Sequence, residues 1–398
     1  MAMGVRRGRH VLPRRPAPAD ARCPRVPESR RRDQCGTVAG REPARRPHRG
    51  RRVLSDPRLV RRSGAHPFRA PRRRVKVGDS RTEEFMDVRV LSQSDVERLL
   101  PMTECVDLMA DALATLARGD AVLPLRSMVS LPDRSGLLGL MPGYLGSPAR
   151  FGLKIVSIFP GNAGSGYDSH QGAVLLFDPR VGSPLAVIDA SAITAIRTAA
   201  VSGVATRVLA RPDAGDLAIL GSGVQAMTHL EAMRAVRSLR RVRVWSRDAG
   251  RRRAFARSTS ERWGLEIEPA PSAREAVEDA DLICTTTASR EPVVEGSWIA
   301  PGAHVNAVGA CFPAARELDT AAVARARVWV DRRESALAES GDLLIPIQEG
   351  AFGPDHIVGE LGDVLLRRAP GRASAREVTL FKSLGIAIED LAAAQHVL

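Results

Sequence analysis

The chain reads as an α/β protein, a doubly wound parallel sheet joined to a smaller α+β domain and preceded by a basic, disordered tail. Three observations lead there. From residue 209 onward, short apolar runs near 217–220, 242–245, 265–268, 282–286, 304–308 and 328–331 alternate with amphipathic stretches, the pattern of βαβ units. Ahead of them, apolar runs around 126–129, 137–141, 153–159, 173–177 and 185–189 are separated by Gly, Pro and Asp turns, the texture of a mostly antiparallel sheet. The charge is also uneven. Residues 1–85 hold 25 Lys and Arg against 8 Asp and Glu, net +17, whereas the other 313 carry 34 against 37.

The tail is rich in Arg and Pro, poor in large apolar residues and without period, so it cannot bury enough surface to fold. It lacks the interleaved rings of a nucleic-acid-binding arm, with Phe68 and Phe85 its only Phe, Tyr or Trp, and no nucleic-acid partner is expected. No apolar h-region follows the early arginines, and proline throughout argues against a transit helix. Globular patterning begins at Met86-Asp-Val-Arg-Val-Leu, and Met86 is the expected initiator, which makes 1–85 a mis-assigned extension. No run of 18 apolar residues occurs, so no spanning helix and no membrane partner is expected. Five scattered cysteines, with no C-x-x-C pair, read as reduced thiols of a cytoplasmic protein. The eight histidines show no ligand spacing, so no metal is expected.

After the tail, Asp95–Leu100 and Glu104–Leu116 have helical apolar spacing with Ser94 and Thr103 as candidate caps. The antiparallel strands follow, then a helix over Thr194–Leu209, then the βα alternation. The run 377–392 reads as a closing helix that packs back on the first domain. The organisation is therefore 1–85 as extension, 86–208 with 375–398 as one domain, and 209–374 as the other.

The strand Leu217–Leu220 runs into Gly221-Ser-Gly223-Val224-Gln225-Ala226. Gly221 allows the tight turn, Gly223 lets a diphosphate approach the backbone, and Ala226 packs helix on strand. The N–H groups at the helix start then hold the anion. This makes the parallel domain a Rossmann-type dinucleotide site. The next strand, Val242–Trp245, ends in Ser246-Arg247, where an NAD site carries its ribose-reading acid. A hydroxyl donor and a cation suit a 2′-phosphate, which favours NADP(H). Asp248 keeps NAD(H) open, and Arg247 has the alternative of being a solvated loop residue.

Arg126, Lys154 and Arg197 are three cations presented by strands or helix starts of the first domain. Two guanidinium forks and an ammonium suit a carboxylate, at ~1.5–3 kcal/mol per charged hydrogen bond. Lys154 is the most telling, because it lies between Phe151-Gly-Leu and Ile155-Val-Ser-Ile and must find a partner or snorkel. Thr285–Thr287 and Val308–Cys311 fall at strand ends and should line the nicotinamide side. Cys311 has no evident histidine partner and reads as a structural thiol. His170 and His304 are candidate acid–base groups, with a core or loop histidine as the alternative.

From Met86 onward the chain resembles the ornithine cyclodeaminase/mu-crystallin family, through Ser169-His-Gln-Gly, Ile193-Thr-Ala-Ile-Arg197-Thr-Ala-Ala, Gly221-Ser-Gly-Val-Gln-Ala, Pro301-Gly-Ala-His-Val-Asn-Ala-Val-Gly, Arg316-Glu-Leu-Asp319, Glu339-Ser-Gly-Asp342 and Phe381-Lys-Ser-Leu-Gly385. The resemblance implies a homodimer of a dimerisation/substrate domain and a Rossmann domain, NAD(P) as cofactor and a small imino- or amino-acid substrate. It implies that Arg126, Lys154 and Arg197 grip the substrate carboxylate. It also implies cofactor contacts from Ser169, His170, Gln171, Val224, Gln225, Ser246, Arg247, Thr286, Val308 and Ser383.

The cyclodeaminase branch carries Gly-Gly-Asp-Cys-Pro-Gly, its aspartate taken to handle the proton and ring closure. This chain reads Val308-Gly309-Ala310-Cys311-Phe312-Pro313, with Ala310 in the place of that acid. The Val-Gly-Ala form is similar to the mu-crystallin branch, which implies NADPH-dependent reduction of cyclic ketimines. The expectation is hydride transfer from NADP(H) to the C=N carbon of a small cyclic imino acid of the ketimine or 1-pyrroline-2-carboxylate type, with orientation as the main source of catalysis. The alternatives are an amino-acid cyclodeaminase (ornithine to proline) or amino-acid dehydrogenase that uses another acid, and a non-catalytic crystallin-like NADP-binding protein.

Overall fold

In the first sheet the residues alternate between a buried and an open face, as one covered side requires. The computed structural model of the chain describes residues 87–162 and 165–398, so the basic tail and the start at Met86 lie outside the described residues. The strands are β1 (Arg89–Leu91), β2 (Ala121–Val122), β3 (Ser127–Ser130), β4 (Leu137–Leu145), β5 (Arg150–Ile158), β6 (His170–Phe177) and β7 (Pro184–Asp189). They run β1-β7-β6-β5-β4-β2, with β3 also on β4. All neighbours are antiparallel except β1 with β7. In β4, Gly139, Met141, Gly143 and Leu145 are buried, while Leu138, Leu140, Pro142 and Tyr144 occupy the other face.

Helices α1 (Gln93–Leu99), α2 (Met102–Ala117) and α3 (Ala190–Leu209) complete this half of the chain. The cap of α1 is Ser92 rather than Ser94: its side chain accepts the Asp95 N–H and the Asp95 carboxylate accepts the Ser92 N–H, a reciprocal box. Pro101, not Thr103, precedes α2. By length and composition α3 could cross a membrane, with mean hydropathy 1.2, but 72% of that window is buried inside the protein, where it packs on α2, α4 and the second sheet.

The second half alternates β8 (Asp216–Leu220), α4 (Val224–Val236), β9 (Arg241–Trp245), α5 (Ala249–Trp263), β10 (Ile267–Pro269), α6 (Ala273–Val277), β11 (Leu282–Thr285), β12 (His304–Ala307), α7 (Thr320–Arg325), β13 (Arg327–Val330), α8 (Arg333–Glu339), α9 (Gly341–Gln348), β14 (Ile357–Glu360), α10 (Leu361–Leu365), β15 (Thr379–Lys382) and α11 (Ala387–Val397). Its strands make one sheet in the order β10-β9-β8-β11-β12-β15-β13-β14, and every pairing is parallel. The chain winds outward from β8 in one direction and from β11 in the other, so a crevice opens at the carboxyl ends of these two strands.

The closing run 377–392 is not the one helix that its spacing predicts. Residues 379–382 are a strand inserted between β12 and β13, and only Ala387–Val397 is helical. The chain therefore passes from the second sheet back to the first near residue 386. Thr379-Leu-Phe-Lys is buried on both faces, so it shows no alternation of period 2, and the apolar spacing that runs on into α11 imitates a helix. Gly385, at φ +72°, ends the strand segment and turns the chain. From there α11 leaves the parallel sheet and packs on β4, β5, α2 and α3.

Candidate functional site

The loop after β8 is built to receive an anion. Gly221 has φ +130° and donates its N–H to the carbonyl of Trp245 at 2.7 Å. A Cβ there would stand 2.5 Å from Oγ1 of Thr286, whereas a Cβ on Gly223 would meet nothing within 4 Å. Gly223 is the residue before the first turn of α4, and no side chain caps that turn, so its N–H groups remain available. Val224 is exposed beside them and Ala226 is buried. Gln225 holds a buried Oε1 with no protein partner. Thr286 closes the opposite side, its hydroxyl donating to the Leu220 carbonyl at 3.0 Å.

At the end of β9, Ser246 is buried and donates its hydroxyl to the Asp248 carbonyl at 3.2 Å, while Arg247 is exposed. The Asp248 carboxylate accepts the Arg251 N–H at 2.9 Å and caps α5. That bond holds its pKa below the ordinary carboxylate value. Val308 and Ser383 lie at the ends of β12 and β15; Ser383 is buried and its Oγ has no protein partner. An open cradle, helix N–H groups and two orphaned buried polar atoms fit a nicotinamide dinucleotide laid across these strand ends.

The three cations converge on the turn between β15 and α11. Lys154 Nζ lies 3.1 Å from Oδ1 of Asp390, and Arg197 Nε lies 2.9 Å from the same oxygen. Arg197 Nη1 reaches Oε2 of Glu389 at 2.6 Å. Arg126 comes from the loop before β3, placing Nε 3.1 Å from Glu339 and Nη2 on the carbonyls of Leu384 (3.1 Å) and Gly385 (2.7 Å). Gly385 is required at this point, since a Cβ would fall 2.2 Å from Arg197 Nη1.

Burial, reinforced by the charges of Arg197 and Arg126, lowers the Lys154 pKa to about 8 against the pull of Asp390. Burial also lifts Glu389 to about 8. Asp390 and Glu389 hold Arg197 firmly protonated in spite of its burial. Lysine carries three donors and arginine five, so each cation keeps N–H groups beyond those its protein partners take.

Ser169, His170 and Gln171 open β6 on the first sheet. Ser169 Oγ lies 3.0 Å from His170 Nδ1, and Gln171 donates to the Asp168 carbonyl at 3.0 Å. Burial and the charge of Lys154 lower the His170 pKa, and the segment pairs with the end of β5, the strand that carries Lys154. His304 is a core residue: it is buried in β12 between Thr379 Oγ1 (2.9 Å) and Asn306 Oδ1 (3.3 Å), and burial pushes its pKa to about 3. Cys311 is half-buried, bonded through Sγ to the Val308 carbonyl at 3.3 Å, and burial raises its pKa.

The partners of these groups are the part that sequence reasoning missed. Glu339, Glu389 and Asp390 match the cations, and Asp331 accepts the N–H groups of Leu384 (2.6 Å) and Gly385 (2.7 Å), fixing the turn. The available signal was Glu389-Asp390 inside an otherwise apolar closing run, where buried acids demand cations. Glu317, Asp342 and Lys382 form a second buried set under the strand ends.

The chain matches the family model of the ornithine cyclodeaminase/mu-crystallin family over residues 86–398. It is 42% identical over 289 residues to the ketimine reductase mu-crystallin of Mus musculus, covering 72% of this chain and 88% of that protein. It is 37% identical over 309 residues to a Delta(1)-pyrroline-2-carboxylate reductase of Bacillus cereus, covering 77% and 95%. The solved Thermococcus litoralis Delta(1)-pyrroline-2-carboxylate reductase in complex with NADH and L-proline superposes with a TM-score of 0.76 at 41% identity, over 78% of this chain and 96% of that one. An archaeal alanine dehydrogenase dimer with bound NAD gives 0.74 at 34%, over 78% and 94%.

Proposed function

This chain belongs to the ornithine cyclodeaminase/mu-crystallin family, and from that premise we propose that it is an NAD(P)H-dependent imine reductase acting on small cyclic imino acids of the ketimine or 1-pyrroline-2-carboxylate type. The observation that carries the reading is the meeting of Arg126, Lys154 and Arg197 at one turn that follows directly from the cofactor-facing end of β15. A carboxylate held there puts the attached C=N carbon next to the strand ends. The nicotinamide, when bound, supplies the hydride.

The protein's part is orientation. A protonated imine is already electrophilic, and its C=N electron pair passes to a nitrogen that carries a proton, so no acid is needed at the reacting atoms. Holding two reactants in register accounts for much of such a barrier. Ala310, an apolar side chain that is 1% exposed, offers no carboxylate for loss of ammonia and supports reduction over cyclodeamination.

NADP(H) is the favoured coenzyme. Arg247 supplies an exposed cation, and the adjacent acid, Asp248, is engaged in capping α5. A homodimer is supported by the open face of the first sheet, where Val90, Val129, Leu138 and Phe151 are exposed, a grouping of apolar side chains of the kind that marks protein contacts. That sheet with its helices is the dimerisation/substrate domain. The described cysteines, Cys105, Cys284 and Cys311, are free thiols, which supports a cytoplasmic location.

The assay follows loss of reduced-nicotinamide absorbance with NADPH and NADH against 1-pyrroline-2-carboxylate and 1-piperideine-2-carboxylate, with ammonia release from ornithine and NAD alongside. NADPH oxidation by an imine is expected. Ammonia from ornithine with inert imines would overturn the reading.

A further inference from the structure

Two neighbouring strand ends at the crevice are tied to one buried carboxylate, and a second carboxylate behind it reaches a third. Glu317, in the loop ahead of α7, has no exposed surface. Its Oε1 accepts the backbone N–H of Thr287 at 2.6 Å and the Thr287 hydroxyl at 2.7 Å. Its Oε2 accepts the Thr285 hydroxyl at 2.7 Å and the backbone N–H of Gly309 at 2.6 Å. Behind it, Asp342 accepts the N–H groups of Glu317 (2.8 Å) and Leu318 (3.1 Å) and pairs with Lys382 Nζ at 3.0 Å. Lys382 is the last residue of β15, and Ser383 follows. One chain of contacts therefore fastens the ends of β11, β12 and β15.

Two backbone N–H groups, one on each oxygen, fix Glu317 as an acceptor at both ends. Burial and the nearby Asp342 work against that charge and raise its pKa, while Lys382 opposes the rise. Buried ionic sets of this kind are often no more stabilising than apolar packing. The contacts concentrate where the nicotinamide half of a dinucleotide lies in a doubly wound sheet, and the turn that collects the substrate cations begins two residues after Lys382.

We propose that Glu317, backed by Asp342 and Lys382, is a positioning residue for hydride transfer. It sets the spacing of Thr285–Thr287 and Val308–Gly309, which wall the nicotinamide, against Ser383 and the substrate clamp. This rests on the imine-reductase reading for its kinetics, but not for its spectroscopy.

Glu317→Gln keeps the size of the side chain and turns one acceptor into a donor that faces a backbone N–H. In the full chain, NADPH affinity by fluorescence titration is expected to change by less than about threefold, because the diphosphate cradle is untouched. The anisotropy of bound-NADPH fluorescence should fall as the ring loosens. On an imine, kcat should drop by about 100-fold with KM within about threefold, the scale of a small misplacement. The primary isotope effect from NADPH deuterated at C4 should rise, which a merely structural role would not produce. Thr287→Val, which removes one hydroxyl, should move each readout the same way and less.

Unchanged anisotropy and kcat in Glu317→Gln would overturn the proposal. So would loss of activity in step with loss of melting temperature and NADPH affinity while Thr287→Val is silent, since that describes a fold prop. If the unaltered protein reduces no imine, the functional reading fails, and the anisotropy comparison still decides the role of Glu317.

Discussion

Lys154 and Arg197 donate to the same oxygen, Oδ1 of Asp390, at 3.1 and 2.9 Å. One comes from the middle of β5 and the other from α3, and the acid that joins them stands 236 and 193 residues further along the chain. All three side chains are buried. Asp390 thus holds two like charges side by side on one carboxylate oxygen.

Removing that acid should leave two buried cations facing each other. Asp390→Asn is expected to lower stability by about 3–5 kcal/mol, the cost of an uncompensated buried charge. Urea denaturation of the variant against the unaltered chain measures it, and a loss under about 1 kcal/mol would mean the cations find other partners.

Substrate capture should weaken in mild alkali. Burial holds the Lys154 pKa at about 8, so the clamp loses a positive charge and kcat/KM for the imino acid should fall as pH rises through about 8, by up to about tenfold per unit. NADPH affinity measured alone should not follow. In Lys154→Arg, whose guanidinium stays charged, the fall should flatten; a profile identical to that of the unaltered protein would remove Lys154 from the clamp.

Coenzyme choice should rest on Arg247. Losing one charged hydrogen bond to a phosphate is worth roughly 1.5–3 kcal/mol, so Arg247→Ala should weaken NADPH binding by about 10–100-fold and leave NADH within about twofold. Equal losses for both coenzymes would place Arg247 on the shared part of the nucleotide.

The open sheet face should be a contact between two copies. Phe151 is 45% exposed on β5, tilted against Phe177 at a 6.1 Å ring separation. Phe151→Glu sets a charge on that face and is expected to halve the mass found by light scattering while the circular dichroism is kept. A mass unchanged by the substitution would put the interface elsewhere.

The nucleotide half was legible because its logic is local. Gly221 to Ala226 carry turn, cradle and packing within six residues, and the strand–helix alternation around them repeats every few dozen. The cations were legible as misfits: Lys154 in an apolar strand has to be explained. Their partners were not, because Glu339, Glu389 and Asp390 are remote in sequence and only the β15–α11 turn brings them in. Strand β15 reads as helix in the sequence, since a strand covered on both faces has no alternation to betray it. Glu317 lies in a run that only the family resemblance marks; nothing local says that Thr285, Thr287 and Gly309 would meet on it.

On the proposed reading, hydride passes from the coenzyme to the carbon of an imino acid held by Arg126, Lys154 and Arg197. The most direct test of that reading is to incubate the protein with 1-pyrroline-2-carboxylate and NADPH deuterated at C4, taking each C4 epimer in turn, and to analyse the product by mass spectrometry. One epimer should yield proline bearing a single deuterium at the carbon next to the carboxylate, and the other none. Proline without deuterium from either epimer, or no proline at all while ornithine releases ammonia, would contradict it.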